Sequence, residues 1–214
     1  MNSTELQTLA TQVRRDIVRM VHAVQSGHPG GSLGCTDLLV QLYFSTMNIN
    51  PDEFDMDGKG EDIFFLSNGH ISPVWYSVLA RRGYFPLEEL KTFRKLNSRL
   101  QGHPATEEGL PGIRVASGSL GQGLSVALGA AQVKALNHES NWVYSLHGDG
   151  ELQEGQFWEC IGAMTRAVTI EGEDYHWKEY CFRNPYVGYR WLIHSDNSWS
   201  WSQSIHGVPK GSKK

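Results

Sequence analysis

Asp149 is the residue whose setting most clearly suggests chemistry. It lies between Gly148 and Gly150 in the segment HGDG, where an apolar run ends and helical periodicity begins. Flanking glycines let the backbone approach a ligand closely, and a following helix offers free N–H groups to phosphate. A carboxylate would repel a bare diphosphate, but Mg²⁺ binds a carboxylate together with phosphate oxygens and water. The segment therefore predicts a magnesium–diphosphate site, with an ordinary turn or helix cap as the alternative.

Three histidines each adjoin a glycine in segments without periodicity: His28 in SGHPGG, His70 in SNGH and His103 in QGHPA. Imidazole is the usual proton-transfer group near neutral pH. A single loop histidine is more often only a surface residue, but three in similar settings favour a shared polar pocket. Their spacing does not match the short ligand spacing of a zinc site.

The glycines of GSLGQG, residues 118–123, form a further candidate ligand loop. The order is G-x-x-G-x-G, so it is not the dinucleotide fingerprint G-x-G-x-x-G. Close helix packing through small residues is the alternative, and it suits Gly129 and Ala130 better than Gly118 and Leu120.

The elements that must position these residues alternate between helix and strand. An apolar stripe over residues 3–26 predicts a helix capped by Ser3 or Thr4, and a loop is expected over residues 28–34 before a second helix capped by Thr36. The runs DIFFL and NWVYSL predict buried strands, and PLEELKTFRK a short helix. The expected fold is α/β, a layered and mainly parallel sheet with helices on both faces. SNGH and HGDG would then lie at the carboxyl ends of strands, where such sheets bind ligands.

The composition is that of an ordinary globular protein. The 214 residues carry a net charge of −4, which gives no reason to expect nucleic acid, and no apolar run is long enough for a membrane span. The N-terminal segment lacks a signal-peptide pattern. Three widely spaced cysteines, Cys35, Cys160 and Cys181, argue against a disulfide framework and indicate a reducing, cytoplasmic setting.

Several motifs in one order and spacing resemble the N-terminal part of transketolase. They are SGHPGGSLG, LSNGHISPVWYSVLA, LQGHP, GLPGIRVASGSLGQGLSVALGAA and HGDGELQEGQFWE, and they cover residues 11–159 almost without gaps. The resemblance implies a thiamine diphosphate-binding fold. It also implies thiamine diphosphate and a divalent cation such as Mg²⁺ as cofactors, and the transfer of a two-carbon ketol unit between sugar phosphates. The partner would be a second copy, or a second-half chain that carries the glutamate activating the cofactor ring.

The resemblance also implies roles for single residues. Asp149 would bind the cation, and Gly150 and His70 would contact the diphosphate. Gly118 and Leu120 would face the aminopyrimidine ring through their backbone. Glu154 would link cofactor sites across a dimer. His28 and His103 would be catalytic, because they match histidines that hold sugar hydroxyls and assist proton transfers.

The family pattern weakens after Cys160, so we expect a partial domain over residues 1–162 and a divergent, poorly ordered tail over residues 163–214. An asparagine metal ligand is expected thirty residues after Asp149, but that position is Glu179, and Cys181 stands where a carbonyl ligand is expected. Asn184 lies too far along to assign, and no clean apolar strand is evident before Glu179 or Asn184.

The tail also contains four of the seven tryptophans: Trp177, Trp191, Trp199 and Trp201. Because the expected asparagine and carbonyl ligands are missing from their positions, and because the resemblance places the activating glutamate in a second domain, we expect the chain alone to be inactive. The open alternatives are a truncated or frame-changed non-catalytic product, and one half of a split enzyme.

Overall fold

The computed structural model describes residues 1–171, 177–182, 190–193 and 199–202, and side chains through residue 163. Its central sheet is parallel and contains β1 (Ile63–Leu66), β2 (Val143–Gly148) and β3 (Trp177–Phe182), with β2 in the middle. A separate antiparallel pair joins β4 (Arg190–Ile193) and β5 (Trp199–Ser202). The predicted α/β class with a mainly parallel sheet is confirmed.

Strand β3 forms although its sequence, WKEYCF, is not the clean apolar run that would have identified a strand there. It pairs with β2 along six residues, so that Glu179 lies opposite Ser145 in mid-strand and Cys181 lies opposite His147. Among the described residues, β3 is the last strand of this sheet. Asn184, two residues after β3, lies outside the described residues.

Six α-helices accompany the sheet in the described part of the chain. Their bounds are α1 Ser3–Val24, α2 Pro29–Gly34, α3 Thr36–Gln41, α4 Ser72–Arg82, α5 Gly123–Leu136 and α6 Gly155–Glu171. A π-helical turn, Leu42–Thr46, extends α3, and short 3-10 helices span Pro51–Glu53, Gly69–Ile71, Leu87–Thr92, Thr106–Glu108 and Asp149–Gln153. No helix in the described ranges is both long and apolar enough to cross a membrane.

Several predicted helix boundaries are wrong. The cap of α1 is Asn2, whose side chain accepts from the Glu5 N–H while the Glu5 carboxylate accepts from the Asn2 N–H. The expected loop over residues 28–34 is largely helix α2, because Pro29 suits a first helical turn. Thr36 does not cap α3 but lies inside the turn, where its hydroxyl donates to the Ser32 carbonyl. The short helix predicted over PLEELKTFRK is a 3-10 helix, Leu87–Thr92.

The two faces of the sheet contact different helices. Phe64 and Leu66 of β1 join the larger core with α1, α3 and α4, whereas Ile63 and Phe65 join a smaller core with α5 and α6. This alternation follows from the two-residue period of a strand. Helices thus cover both faces of the sheet, as predicted. In the described part of the fold, the carboxyl ends of the strands are not covered by these two helical layers.

Both functional motifs leave the sheet at that edge. β1 and β2 are parallel neighbours, with Leu66 opposite Leu146, so SNGH and HGDG follow adjacent strand ends. A 3-10 helix follows each strand, Gly69–Ile71 after β1 and Asp149–Gln153 after β2. The helix predicted directly after HGDG starts only at Gly155.

Candidate active site

The three predicted histidines lie together. The rings of His28, before α2, and His70, after β1, meet edge to face with centroids 5.0 Å apart. His103 approaches from the long loop between α4 and α5, where its ring packs against Gly118. The three histidines of the SGHPGG, SNGH and QGHP motifs therefore form one cluster of side chains, and a ligand pocket at this cluster stays a prediction.

Burial and mutual repulsion lower the pKa values of two of these rings. The pKa of His70 is lowered first by desolvation and then by His28 and His103. The pKa of His103 is lowered by desolvation, by the Arg94 guanidinium and by His28. Both causes favour the neutral imidazole, which has one donor and one acceptor nitrogen.

Arg94 is a neighbour of this cluster that the sequence did not reveal. Its Nη1 donates to the Ser26 hydroxyl at 2.9 Å, and its guanidinium lies against Gly102. A Cβ at position 102 would approach the guanidinium carbon to 2.6 Å. Arg94 thus joins the segment before His28 to the segment before His103.

Glycines allow the loops around the site to touch. A Cβ on Gly118 would lie 2.7 Å from His103 Cδ2. A Cβ on Gly69 would lie closer to the Ser117 hydroxyl oxygen than side chains allow. A Cβ on Gly121 would lie 2.8 Å from the Cβ of Glu154. The GSLGQG loop is therefore packed tightly against SNGH and against the segment that follows HGDG, and its role as a ligand loop stays a prediction.

The remaining predicted residues face outward. Leu120, Asp149, Gly150 and Glu154 are exposed, and no atom lies within 4 Å of a Cβ built on Gly150. Asn68, which is buried, packs beside Gly148, and its Oδ1 has no hydrogen-bond partner among the described residues. The carboxyl-end edge of the sheet therefore presents the carboxylate of Asp149, the backbone of Gly150 and the amide oxygen of Asn68, which is unpaired within the described part of the chain.

The fit to a divalent cation can be judged from these groups. No set of three His, Cys, Asp or Glu side chains in the described part of the chain could hold a metal by itself. Mg²⁺ does not require such a set, because it is commonly bound through one or two carboxylates plus substrate phosphates and water. Asp149 beside the open backbone of Gly150 fits that mode of binding.

Glu151 is a second residue that the sequence did not reveal. Its carboxylate is buried and accepts three hydrogen bonds, from the Ser67 hydroxyl, the Gly121 N–H and the Gly148 N–H. Glutamate is seldom buried without such partners. The only sequence signal was its position between Asp149 and Glu154, which gives no indication of burial.

His147, two residues before Asp149, is buried and plays no direct part in this edge. Its Nε2 lies 2.6 Å from the Ser145 hydroxyl, and its Nδ1 is 4.0 Å from Glu151 Oε2. That separation exceeds a hydrogen bond. Burial lowers the pKa of His147 to about 3, so the ring is neutral near pH 7 and forms no ion pair with Glu151.

Parallel strands with glycine-rich turns at their carboxyl ends are the arrangement expected for a thiamine diphosphate-binding fold. The family described as the thiamine diphosphate binding domain of transketolase matches residues 6–199. The chain belongs to this family, as the motif resemblance implied. The match extends past residue 162, and the boundary placed there stays a prediction.

Relatives support the assignment. The 6-deoxy-6-sulfo-D-fructose transketolase subunit SqwG of Clostridium sp. (strain MSTE9) is 38% identical over 73% of this chain and 56% of its own length. Transketolase of Buchnera aphidicola is 34% identical over 96% of this chain and 34% of its own length. The chain thus spans about half, or less, of the relatives it matches.

Solved structures give the same result. Transketolase from Campylobacter jejuni superposes with a TM-score of 0.69 at 34% identity, over 78% of this chain and 27% of that one. A mutant transketolase from Pichia stipitis gives a TM-score of 0.71 at 32% identity, over 86% of this chain and 27% of that one. Both confirm the fold.

Proposed function

We propose that this chain supplies the thiamine diphosphate-binding half of an enzyme that transfers a two-carbon ketol unit between sugar phosphates. The observation that carries the proposal is the pairing of β1 with β2, which brings SNGH and HGDG side by side at one sheet edge. The family is described as a thiamine diphosphate binding domain, which supports this cofactor, and the carboxyl-end edge of the sheet would be its binding place.

Gly150 and His70 would hold the diphosphate, and Asp149 would hold Mg²⁺. Open space at Gly150 and the carboxylate at Asp149 support this arrangement. Gly118 and Leu120 would present backbone to the aminopyrimidine ring, since the loop that carries them packs on both strand ends. When bound, the cofactor supplies the carbanion chemistry.

The histidines would act on the substrate. His28 and His103 are exposed, whereas His70 is half-buried. A neutral imidazole can donate to a sugar hydroxyl or take its proton, so the lowered pKa of His103 suits proton transfer near neutral pH. A solved relative, transketolase from Pichia stipitis, is described in complex with sedoheptulose-7-phosphate, which supports sugar phosphates as the substrate class.

A partner would complete the enzyme. Glu154 is exposed and packs on Gly121, where it can reach a second copy across a dimer. A split enzyme is the second candidate, because relatives of which the chain covers more than half are named as subunits, including one of the apulose-4-phosphate transketolase from Actinobacillus succinogenes. In either case the activating glutamate would come from a second domain. Cys35 is free and buried, which suits a reducing, cytoplasmic setting.

A coupled assay of aldose phosphate release from a ketose phosphate donor tests the proposal. The purified chain with thiamine diphosphate and Mg²⁺ should show no turnover above an Asp149→Ala blank, because the activating acid is proposed to come from a partner. Addition of a second-half chain from a split relative should produce turnover that the blank lacks. Turnover by the chain alone would contradict the need for a partner, and no turnover in any mixture would contradict ketol transfer.

A further inference from the structure

We propose that Glu151 is a positioning residue that fixes three loops of this domain relative to one another. They are the loops that follow β1 and β2 and the GSLGQG loop before α5, and all three are proposed to bind the cofactor. The inference rests on the proposed function and adds to it a residue that touches neither cofactor nor substrate. Its side chain acts through the backbone of the loops that do.

The contacts of Glu151 reach three separate parts of the chain. Oε1 accepts from the Ser67 hydroxyl at 2.5 Å, after β1, and from the Gly121 N–H at 3.0 Å, before α5. Oε2 accepts from the Gly148 N–H at 2.7 Å, at the end of β2. One carboxylate therefore ties together the carboxyl ends of two adjacent strands and the glycine loop that packs on them.

Each of these partners lies within three residues of a predicted cofactor contact. Gly148 precedes Asp149, Ser67 lies three residues before His70, and Gly121 follows Leu120. Displacement of any of the three by a fraction of an ångström would move a group that the diphosphate or the ring must meet. At metal sites, the outer partners that hydrogen-bond the ligating residues contribute about 10–100-fold to affinity or activity.

A catalytic interpretation of the same residues fails on access. Ser145, His147 and Glu151 follow one another like a hydrolase triad, but their exposed fractions are 0%, 0% and 1%. The gap of 4.0 Å between His147 Nδ1 and Glu151 Oε2 also leaves the histidine unoriented by the acid. The buried carboxylate of Glu151 therefore has a positioning role for the loops rather than a catalytic one.

The three hydrogen bonds of Glu151 require both of its carboxylate oxygens to act as acceptors. A glutamine at position 151 has nearly the same shape, but its NH₂ group would face either the Gly148 N–H or the Ser67 and Gly121 donors. A buried donor left without an acceptor is costly, so the loop on that side must move. Glu151→Gln thus changes hydrogen bonding while it keeps volume.

The experiment measures two properties of Glu151→Gln and the wild-type chain. The first is the Kd for thiamine diphosphate in the presence of Mg²⁺, at a temperature well below unfolding for both proteins. The second is backbone hydrogen exchange at Gly121 and Gly148 without cofactor. Glu159→Gln, an exposed acid on α6, is the matched control, and Ser67→Ala, which removes one donor, replaces Glu151→Gln if that variant does not fold.

The expected result is a Kd about 10–100-fold higher for Glu151→Gln than for wild type. Exchange should be faster at Gly121 and Gly148 and unchanged in α1, and Glu159→Gln should match wild type. Equal affinity and equal exchange would overturn the inference, as would a lower melting temperature with unchanged affinity, which marks a merely structural role. A wild-type chain that does not bind overturns the proposed function itself, and hydrogen exchange then still decides whether Glu151 holds the loops.

Discussion

The ring of His103 lies directly over the backbone of Gly118, so closely that a Cβ at position 118 would come within 2.7 Å of Cδ2. Gly118 also has a φ of +125°, a conformation that side chains disfavour. One glycine thus allows both the turn of the GSLGQG loop and the placement of a histidine proposed to be catalytic.

Gly118→Ala should displace His103 and disturb the loop. Strained backbone and the clash together are expected to lower the free energy of unfolding by about 1–3 kcal/mol, and cofactor affinity should fall with it. Urea unfolding would measure the loss of stability, and the His103 ring resonances in NMR spectra would report the displacement of the ring.

Gly129→Ala is the matched control for this prediction. Gly129 lies inside α5 with open space around its Cβ position, so alanine there should raise stability by about 0.5–1 kcal/mol. A Gly118→Ala protein that is as stable as wild type, with unchanged His103 resonances, would refute the close contact.

Arg94→Gln should raise the pKa of His103. The guanidinium disfavours the charged imidazole, so its removal takes away one of the causes that lower this pKa, while desolvation remains. The shift should therefore be upward but incomplete, and an NMR titration of the His103 ring measures it. Arg15→Gln, a change at an exposed site on α1, should leave the pKa unaltered. An unchanged or lower pKa in Arg94→Gln would show that the two groups do not interact.

His147 should make the domain less stable in acid. In the unfolded chain its ring takes up a proton near pH 6.5, whereas in the folded protein burial lowers the pKa to about 3. The unfolded state binds more protons between these values, so stability falls as pH falls through this window. The contribution is up to about 1.4 kcal/mol per pH unit.

Urea unfolding at several pH values would test this with His147→Gln, whose amide can still meet the Ser145 hydroxyl. The variant should have a shallower decline of unfolding free energy between about pH 6.5 and 4.5. His138→Asn, at an exposed position, should follow the wild-type curve. Parallel curves for wild type and His147→Gln would contradict a buried neutral histidine.

The central elements were predictable because their signals are local. The runs at β1 and β2 are apolar and short, and the glycine–histidine motifs mark turns, so the sheet edge and most of its residues follow from the sequence. The wrong boundaries arose where two local signals competed. Pro29 favours a helical turn although three glycines follow within five residues, and Asn2 offers a better capping box with Glu5 than Ser3 does.

The contacts across the fold were not predictable in this way. Glu151 looks like a solvent-exposed acid in the sequence, and only the convergence of Ser67, Gly121 and Gly148 explains its burial. Arg94 shows no motif, because its role depends on two loops that meet in space. Strand β3 was missed because its pairing comes from the backbone of β2.

The most direct test of the account is a binding titration of the wild-type chain with thiamine diphosphate, monitored by calorimetry with Mg²⁺ and again with EDTA. Saturable binding is predicted with Mg²⁺ and not with EDTA. Asp149→Ala should weaken binding by more than about tenfold, whereas Asp57→Ala, a change at an exposed acid outside the site, should not. Binding that is indifferent to both Mg²⁺ and Asp149, or no binding by the wild-type chain at all, would contradict a cofactor site at this sheet edge.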